Sequence, residues 1–167
     1  MIVLRFSDLL DQEIADEGIV CEDFFALCDP TESIYYDACD MPYPVIHINS
    51  ARLDTEVRRN YRKLHELGHH HTCALNLFEA PAWLQNKYEY LADRHWSARV
   101  LSPARIAEAY DSGVRSPMDL AEYLDLPLDA VLRGAAMQYQ ANGPVSEYGK
   151  YRIFWNPLNV KINHRKK

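Results

Sequence analysis

His65-Glu66-Leu67-Gly68-His69 decides how this chain is read. The two histidines are four residues apart, so on a helix they leave the same face one turn apart. Placed so, each imidazole can turn a nitrogen to one metal ion at about 2.0–2.1 Å, the usual zinc–histidine distance. Glu66 follows the first histidine and can take a proton from water at such a centre. His65 and His69 are therefore candidate metal ligands and Glu66 a candidate general base.

Working outward, Asp54 or Thr55 is placed to cap a helix that contains the motif, with Glu56 in its first turn. Val57, Tyr61, Leu64 and Gly68 make its buried stripe, and Arg58, Arg59, Arg62 and Lys63 fill the outer arc. Glycine at position 68 lowers helix propensity by roughly 1 kcal/mol against alanine, which makes sense if another backbone passes close. His70 and His71 leave other faces and read as helix-end cations near the negative end of the helix dipole.

A second helix is expected from Ala80-Pro81 to about Leu101, closed by Ser102-Pro103. Glu89, Ala92, Asp93, Trp96 and Val100 share one of its faces. A carboxylate on an apolar face is costly unless paired or bound to a cation. Glu89 is the natural third ligand, and Asp93 is placed to accept the other N–H of a ligand histidine. His95 is the rival third ligand; it points away from Glu89, so only one of the two can serve.

Before the motif, Phe6 to Leu27 reads as helical with an interruption at Gly18, started by Ser7 or Asp8 and ended by Asp29-Pro30. Ile34-Tyr35-Tyr36 and the alternating Val45-Ile46-His47-Ile48-Asn49 read as strands of a small sheet. His47 reads as a half-buried strand residue. After the motif, residues 104–142 predict three short helices. The last two, Asp119-Leu120-Ala121-Glu122-Tyr123-Leu124 and Leu128 to Tyr139, resemble a helix-turn-helix. The tail from Gly143 reads as extended.

Composition narrows the function. The 167 residues suffice for one domain with a real core. No apolar run approaches the roughly 20 residues of a membrane span, and the first ten residues lack a signal peptide's apolar centre, so a cytoplasmic protein without membrane attachment is expected. Cys21, Cys28, Cys39 and Cys73 form no C-x-x-C pair and read as free thiols. Residues 1–43 hold eleven acids against the single base Arg5, whereas the tail has six bases against Glu147. The helix-turn-helix stretch has six acids against Arg105, Arg115 and Arg133. Direct nucleic-acid binding is therefore not expected, because affinity for DNA rests on neutralised phosphates.

The motif His65-Glu66-Leu67-Gly68-His69-His70, the run Glu89-Tyr90-Leu91-Ala92-Asp93, the strand at 45–49, and the downstream Leu101-Ser102-Pro103 and Asp119-Leu120-Ala121 together resemble the ImmA/IrrE family of intracellular metallopeptidases, over roughly Ile34 to Tyr139. The resemblance implies an α+β, mostly helical zincin-like domain at 1–103, a helix-turn-helix-like part at 104–142 and a basic tail at 143–167. It implies zinc on His65, His69 and Glu89, with Glu66 as base. It also implies an anti-repressor role: cleavage of a helix-turn-helix repressor of a phage or mobile element. The family often has Asn where Asp93 stands and Phe near the place of Trp96. His95, Tyr36 and Tyr88 are candidates for stabilising an oxyanion. The alternative is a non-catalytic regulator-binding protein with a structural or vestigial metal site, which a fourth protein ligand such as Cys73 or His95 would favour.

Overall fold

The computed structural model describes residues 5–37, 42–73 and 80–163 and is of the α+β class. The chain divides by packing into two units, Met1–His95 and Trp96–Lys167.

The first unit opens with helix α1 (Phe6–Asp16), which buries Leu10 and Ile14. Asp8 starts it by accepting a hydrogen bond from the Arg5 amide at 3.0 Å. The helix expected to run on to Leu27 stops here. Gly18 takes φ +71°, and the Gly18 and Ile19 amides bond back to the carbonyls of Ala15 and Ile14, a glycine-terminated helix end. Beyond it the chain extends as strand β1 (Val20–Phe24). Helical spacing of apolar residues lost there to a partner: β1 pairs in parallel with β3 (Val45–Asn49), Val20 opposite Val45 and Phe24 opposite Asn49. Between them in sequence lies β2 (Ser33–Tyr36), which runs antiparallel to β3 from its other side, giving the order β1-β3-β2.

The central strand is the most buried, with only His47 partly exposed. Asn49 at its end is fully buried. Its side-chain amide accepts from the Ala26 and Ala51 amides at 3.2 Å and donates to the carbonyls of Ala26 and Thr31 at 3.1 and 2.9 Å. One buried polar group thus ties down the segment that delivers the chain into β2.

Helix α2 (Glu56–Thr72) carries the motif and packs on β2, β3 and α1. Thr55 is its cap, its hydroxyl accepting from the Arg58 amide. Tyr61, Leu64, Leu67 and Gly68 are buried, and so are His65, Glu66 and His69. Lys63 on the outer arc reaches Asp11 of α1 at 2.8 Å, and Arg62 pairs with Glu32.

Helix α3 (Ala82–Val100) begins just after Pro81 and runs through the division of the chain. Up to His95 it belongs with the motif helix. From Trp96 onward its residues pack with the second unit, where α4 (Pro103–Asp111), α5 (Pro117–Tyr123) and α6 (Leu128–Asn142) come in turn. Ser102 and Ser116 cap α4 and α5, each with a proline at the first helical position. Gly134 of α6 lets the Trp96 ring and Leu101 close on the helix: a Cβ there would lie 2.9 Å from the ring and 2.5 Å from Leu101. The tail folds on itself as a meander, β4 (Val145–Tyr148), β5 (Tyr151–Trp155) and β6 (Leu158–Ile162), separate from the first sheet. Tyr151, Ile153 and Trp155 alternate inward.

Candidate metal centre

Two helices meet at this site, and a glycine allows it. An ideal Cβ on Gly68 would sit 2.7 Å from the Ala92 carbonyl oxygen and 3.1 Å from its Cα. The backbones of α2 and α3 therefore touch between the two residue sets that face each other, His65/His69 and Glu89/Asp93.

His65 Nε2 lies 3.2 Å from His69 Nε2 and 3.0 Å from Glu89 Oε2, and His69 Nε2 lies 3.3 Å from Glu89 Oε1. The donors of His65, His69 and Glu89 converge closely enough to hold one metal ion. A tetrahedral metal with bonds of 2.0–2.1 Å keeps neighbouring donors about 3.3–3.4 Å apart, close to what is seen. The tautomer agrees. Asp93, buried like His65, sits 3.0 Å from His65 Nδ1. A carboxylate only accepts, so Nδ1–H donates to it and the Nε2 lone pair is left facing His69 and Glu89. Lone pairs turned on one another need a proton or a cation between them.

Burial pushes against charge on His65, but hydrogen bonds to Asp93 and Glu89, with the negative charges of Glu66 and Asp93, hold its pKa up to about 9. Glu89 is driven well below the ordinary carboxylate range, by its hydrogen bonds to His65 and then His69. His69 Nδ1 is buried without a hydrogen-bond partner among the described residues.

The arrangement departs from expectation in one respect. Glu89 is not interior: its side chain is 54% exposed, against 7% and 8% for the two histidines. It lies one turn before Asp93, where α3 has not yet reached the packed part of its face, so it forms a rim and the centre is open on that side. His95 stacks on His71 with ring centroids 4.8 Å apart and takes no part in the group. Among the described residues no fourth His, Cys, Asp or Glu joins the three. His47 faces Glu22 at 3.7 Å and Phe24 instead. Cys39 lies outside the described residues.

Glu66 is buried, next in sequence to His65, and Ser33 Oγ donates to its Oε1 at 2.6 Å. Two residues on, the Tyr35 hydroxyl meets His70 Nδ1 at 2.8 Å. Sequence reasoning misses Ser33. The signal available is period two: with Ile34 and Tyr36 on one face of a strand, Ser33 and Tyr35 share the other. Asn49 reads from sequence only as the end of a strand.

No family model matches the chain, and no curated protein or solved structure matches it either. Among the described residues no helix is long and apolar enough to cross a membrane.

Proposed function

We propose that the chain is a zinc-dependent endopeptidase that hydrolyses a peptide bond in a regulatory protein. The observation that carries this reading is the convergence of His65, His69 and Glu89 on one point, open at Glu89, with the buried Glu66 near enough for its charge to act on His65. Two imidazoles and a carboxylate at tetrahedral spacing suit zinc, and a catalytic zinc keeps three protein ligands with one position free. Zinc, when bound, would supply the Lewis acidity that polarises the scissile carbonyl and acidifies water.

The chain's own residues would do the rest. Asp93 holds His65 by its Nδ1 proton, which fixes the ring and leaves Nε2 to the ion. Glu66 takes the proton from the attacking water and returns it to the leaving amine as the C–N bond breaks. Strand β2 is an edge strand, with β3 on one side and no strand on the other among the described residues. An extended substrate segment would add to that open edge.

The substrate is a helix-turn-helix repressor of a phage or mobile element, on the strength of the family resemblance of the motif segments. The reading of a non-catalytic binder with a closed structural site loses ground, since among the described residues no fourth protein ligand joins the group.

The experiment compares metal content and cleavage of a repressor encoded beside the gene. Glu66→Gln keeps about one zinc per chain and loses nearly all cleavage, while Glu89→Ala loses both. Cleavage by Glu66→Gln at near the wild-type rate would refute the mechanism. Loss of zinc from His95→Ala with retention by Glu89→Ala would reassign the third ligand.

A further inference from the structure

Ser33 stands where two requirements of the proposed reaction meet. Its side chain faces α2, and the hydroxyl donates to Glu66 Oε1 at 2.6 Å, a short bond of the charge-assisted kind. Its backbone amide and carbonyl lie in the plane of the sheet. Asn49 N–H donates to the Glu32 carbonyl at 2.8 Å, and the register puts Ser33 opposite Ile48 and Ile34 opposite His47. In an antiparallel ladder hydrogen-bonded and non-hydrogen-bonded pairs alternate. Glu32, Ile34 and Tyr36 therefore turn their amides and carbonyls to β3, and Ser33 and Tyr35 turn theirs to the open edge. Tyr35 repeats the pattern one step along, its hydroxyl on His70 at 2.8 Å. Glu66 and His70 are four apart on α2, so two alternate strand residues are pinned to two successive turns of the helix.

We propose that Ser33 is a positioning residue for Glu66, and that it couples the seating of an extended substrate on the β2 edge to the aim of the base. The inference rests on the endopeptidase reading for the role of Glu66, but not for the contact. Glu66 is buried, and the Ser33 hydroxyl holds one of its two carboxylate oxygens. Without that bond the carboxylate loses the one hydrogen bond that ties it to β2, and its terminal torsion is free to turn within the packed site. With it the carboxylate is fixed relative to the backbone groups a substrate strand would pair with. The scissile bond and the base are then both referred to one residue. The segment entering Ser33 is held too: Asn49 bonds the Thr31 carbonyl, and Glu32 pairs with Arg62. Serine at an edge position contributes little to strand propensity, so its value there lies in the hydroxyl.

The test has two readouts on the full chain. The first needs no activity: the side-chain carboxylate carbon resonance of Glu66 in isotope-labelled, zinc-loaded protein. Ser33→Ala is expected to move and broaden it. Ser33→Thr, which keeps a hydroxyl on a residue suited to strands, is expected to leave it near the wild-type position. The second is cleavage of β-casein, an unfolded chain offering many extended segments. Ser33→Ala is expected to lower kcat by about 10–100-fold, the usual penalty for losing an orienting partner, with KM and zinc content unchanged, and Ser33→Thr to restore kcat to within a few-fold. The proposal is overturned if the Glu66 resonance of Ser33→Ala matches wild type, if threonine fails to rescue it, or if Ser33→Ala loses zinc or raises KM in place of lowering kcat. Casein left intact by wild type counts against the peptidase reading alone, and the carboxylate resonance then decides the role of Ser33.

Discussion

Asp93 and Glu89 share a helix face and two adjacent turns, yet they do different things to His65. Asp93 is buried and accepts from Nδ1, whereas Glu89 stands at the rim opposite Nε2. Asp93→Ala removes the orienting bond but no ligand. It is expected to keep zinc with affinity lowered about 10–100-fold, read by competition with a metal-sensitive chelator. An unchanged affinity would make Asp93 incidental. The metal-free chain carries a pH signature as well. His65 is raised from 6.5 to about 9, so its contribution to stability is fully present below pH 6.5 and lost as pH rises through about 9. Glu89 is lowered from 4.5, so its contribution is present above that value and lost on acidification. These are two ends of one ion pair and count once. Chelator-treated protein is therefore expected to be most stable in urea between about pH 5 and 6.5, and to lose at most about 3 kcal/mol by pH 10. A flat profile from pH 6 to 10 would contradict the pairing.

Among the elements, α2 and β3 are the most legible from sequence. Val45–Asn49 alternates with β-branched residues, and Thr55 caps a helix whose buried stripe is visible in the order of residues. The same logic fails at Val20–Phe24. Leu, Ile, Val and Phe residues on either side of Gly18 keep a loosely helical spacing, but a glycine in the left-handed region ends α1, and a parallel partner at Val45–Asn49 cannot be seen in local order. The three residues that could hold a metal ion are legible for a related reason: they lie on helices, where spacing fixes direction. Ser33 lies on a short edge strand, where nothing in its neighbours names the helix it faces. Gly68 reads from sequence as a place for close approach, and Ala92 is what approaches. Gly68→Ala gains about 1 kcal/mol of helix propensity, but its methyl meets a backbone carbonyl at 2.7 Å, which no side-chain motion relieves. The variant is expected to be about 1–3 kcal/mol less stable and to bind zinc more weakly, measured by urea unfolding and metal titration. Equal or greater stability would show that the helices part easily.

At the scale of the whole molecule, charge is the readable feature and it is divided. Eleven acids and one base occupy the first 43 residues, and the basic excess is in the tail. Helices α5 and α6 occupy the stretch whose sequence resembles a helix-turn-helix, α5 capped by Ser116, and acids outnumber bases there. Duplex DNA is expected to bind micromolar or weaker at physiological salt, with no preference for sequence, as followed by fluorescence anisotropy. Nanomolar, sequence-dependent binding would make this part a reader of DNA. The resemblance that suggests a peptidase covers segments of both units, and α3 passes through the division between them. The candidate ligand Glu89 and the buried Trp96 are both residues of this one helix, Ala82–Val100.

For the proposed zinc centre, the unequal burial of its three candidate ligands has a kinetic meaning. Two of them are enclosed and the third is a side chain more than half in water. A centre built this way trades its ion through the rim. A competing chelator can take the place of Glu89 while both imidazoles still hold, so exchange proceeds by substitution at the surface and its rate climbs with chelator concentration. A centre with all three ligands enclosed would instead release its ion at the pace of protein opening, whatever the concentration outside. Occupancy of this protein would then track the zinc available around it within the lifetime of a single chain, and the supply of metal would itself set how much of the population is competent.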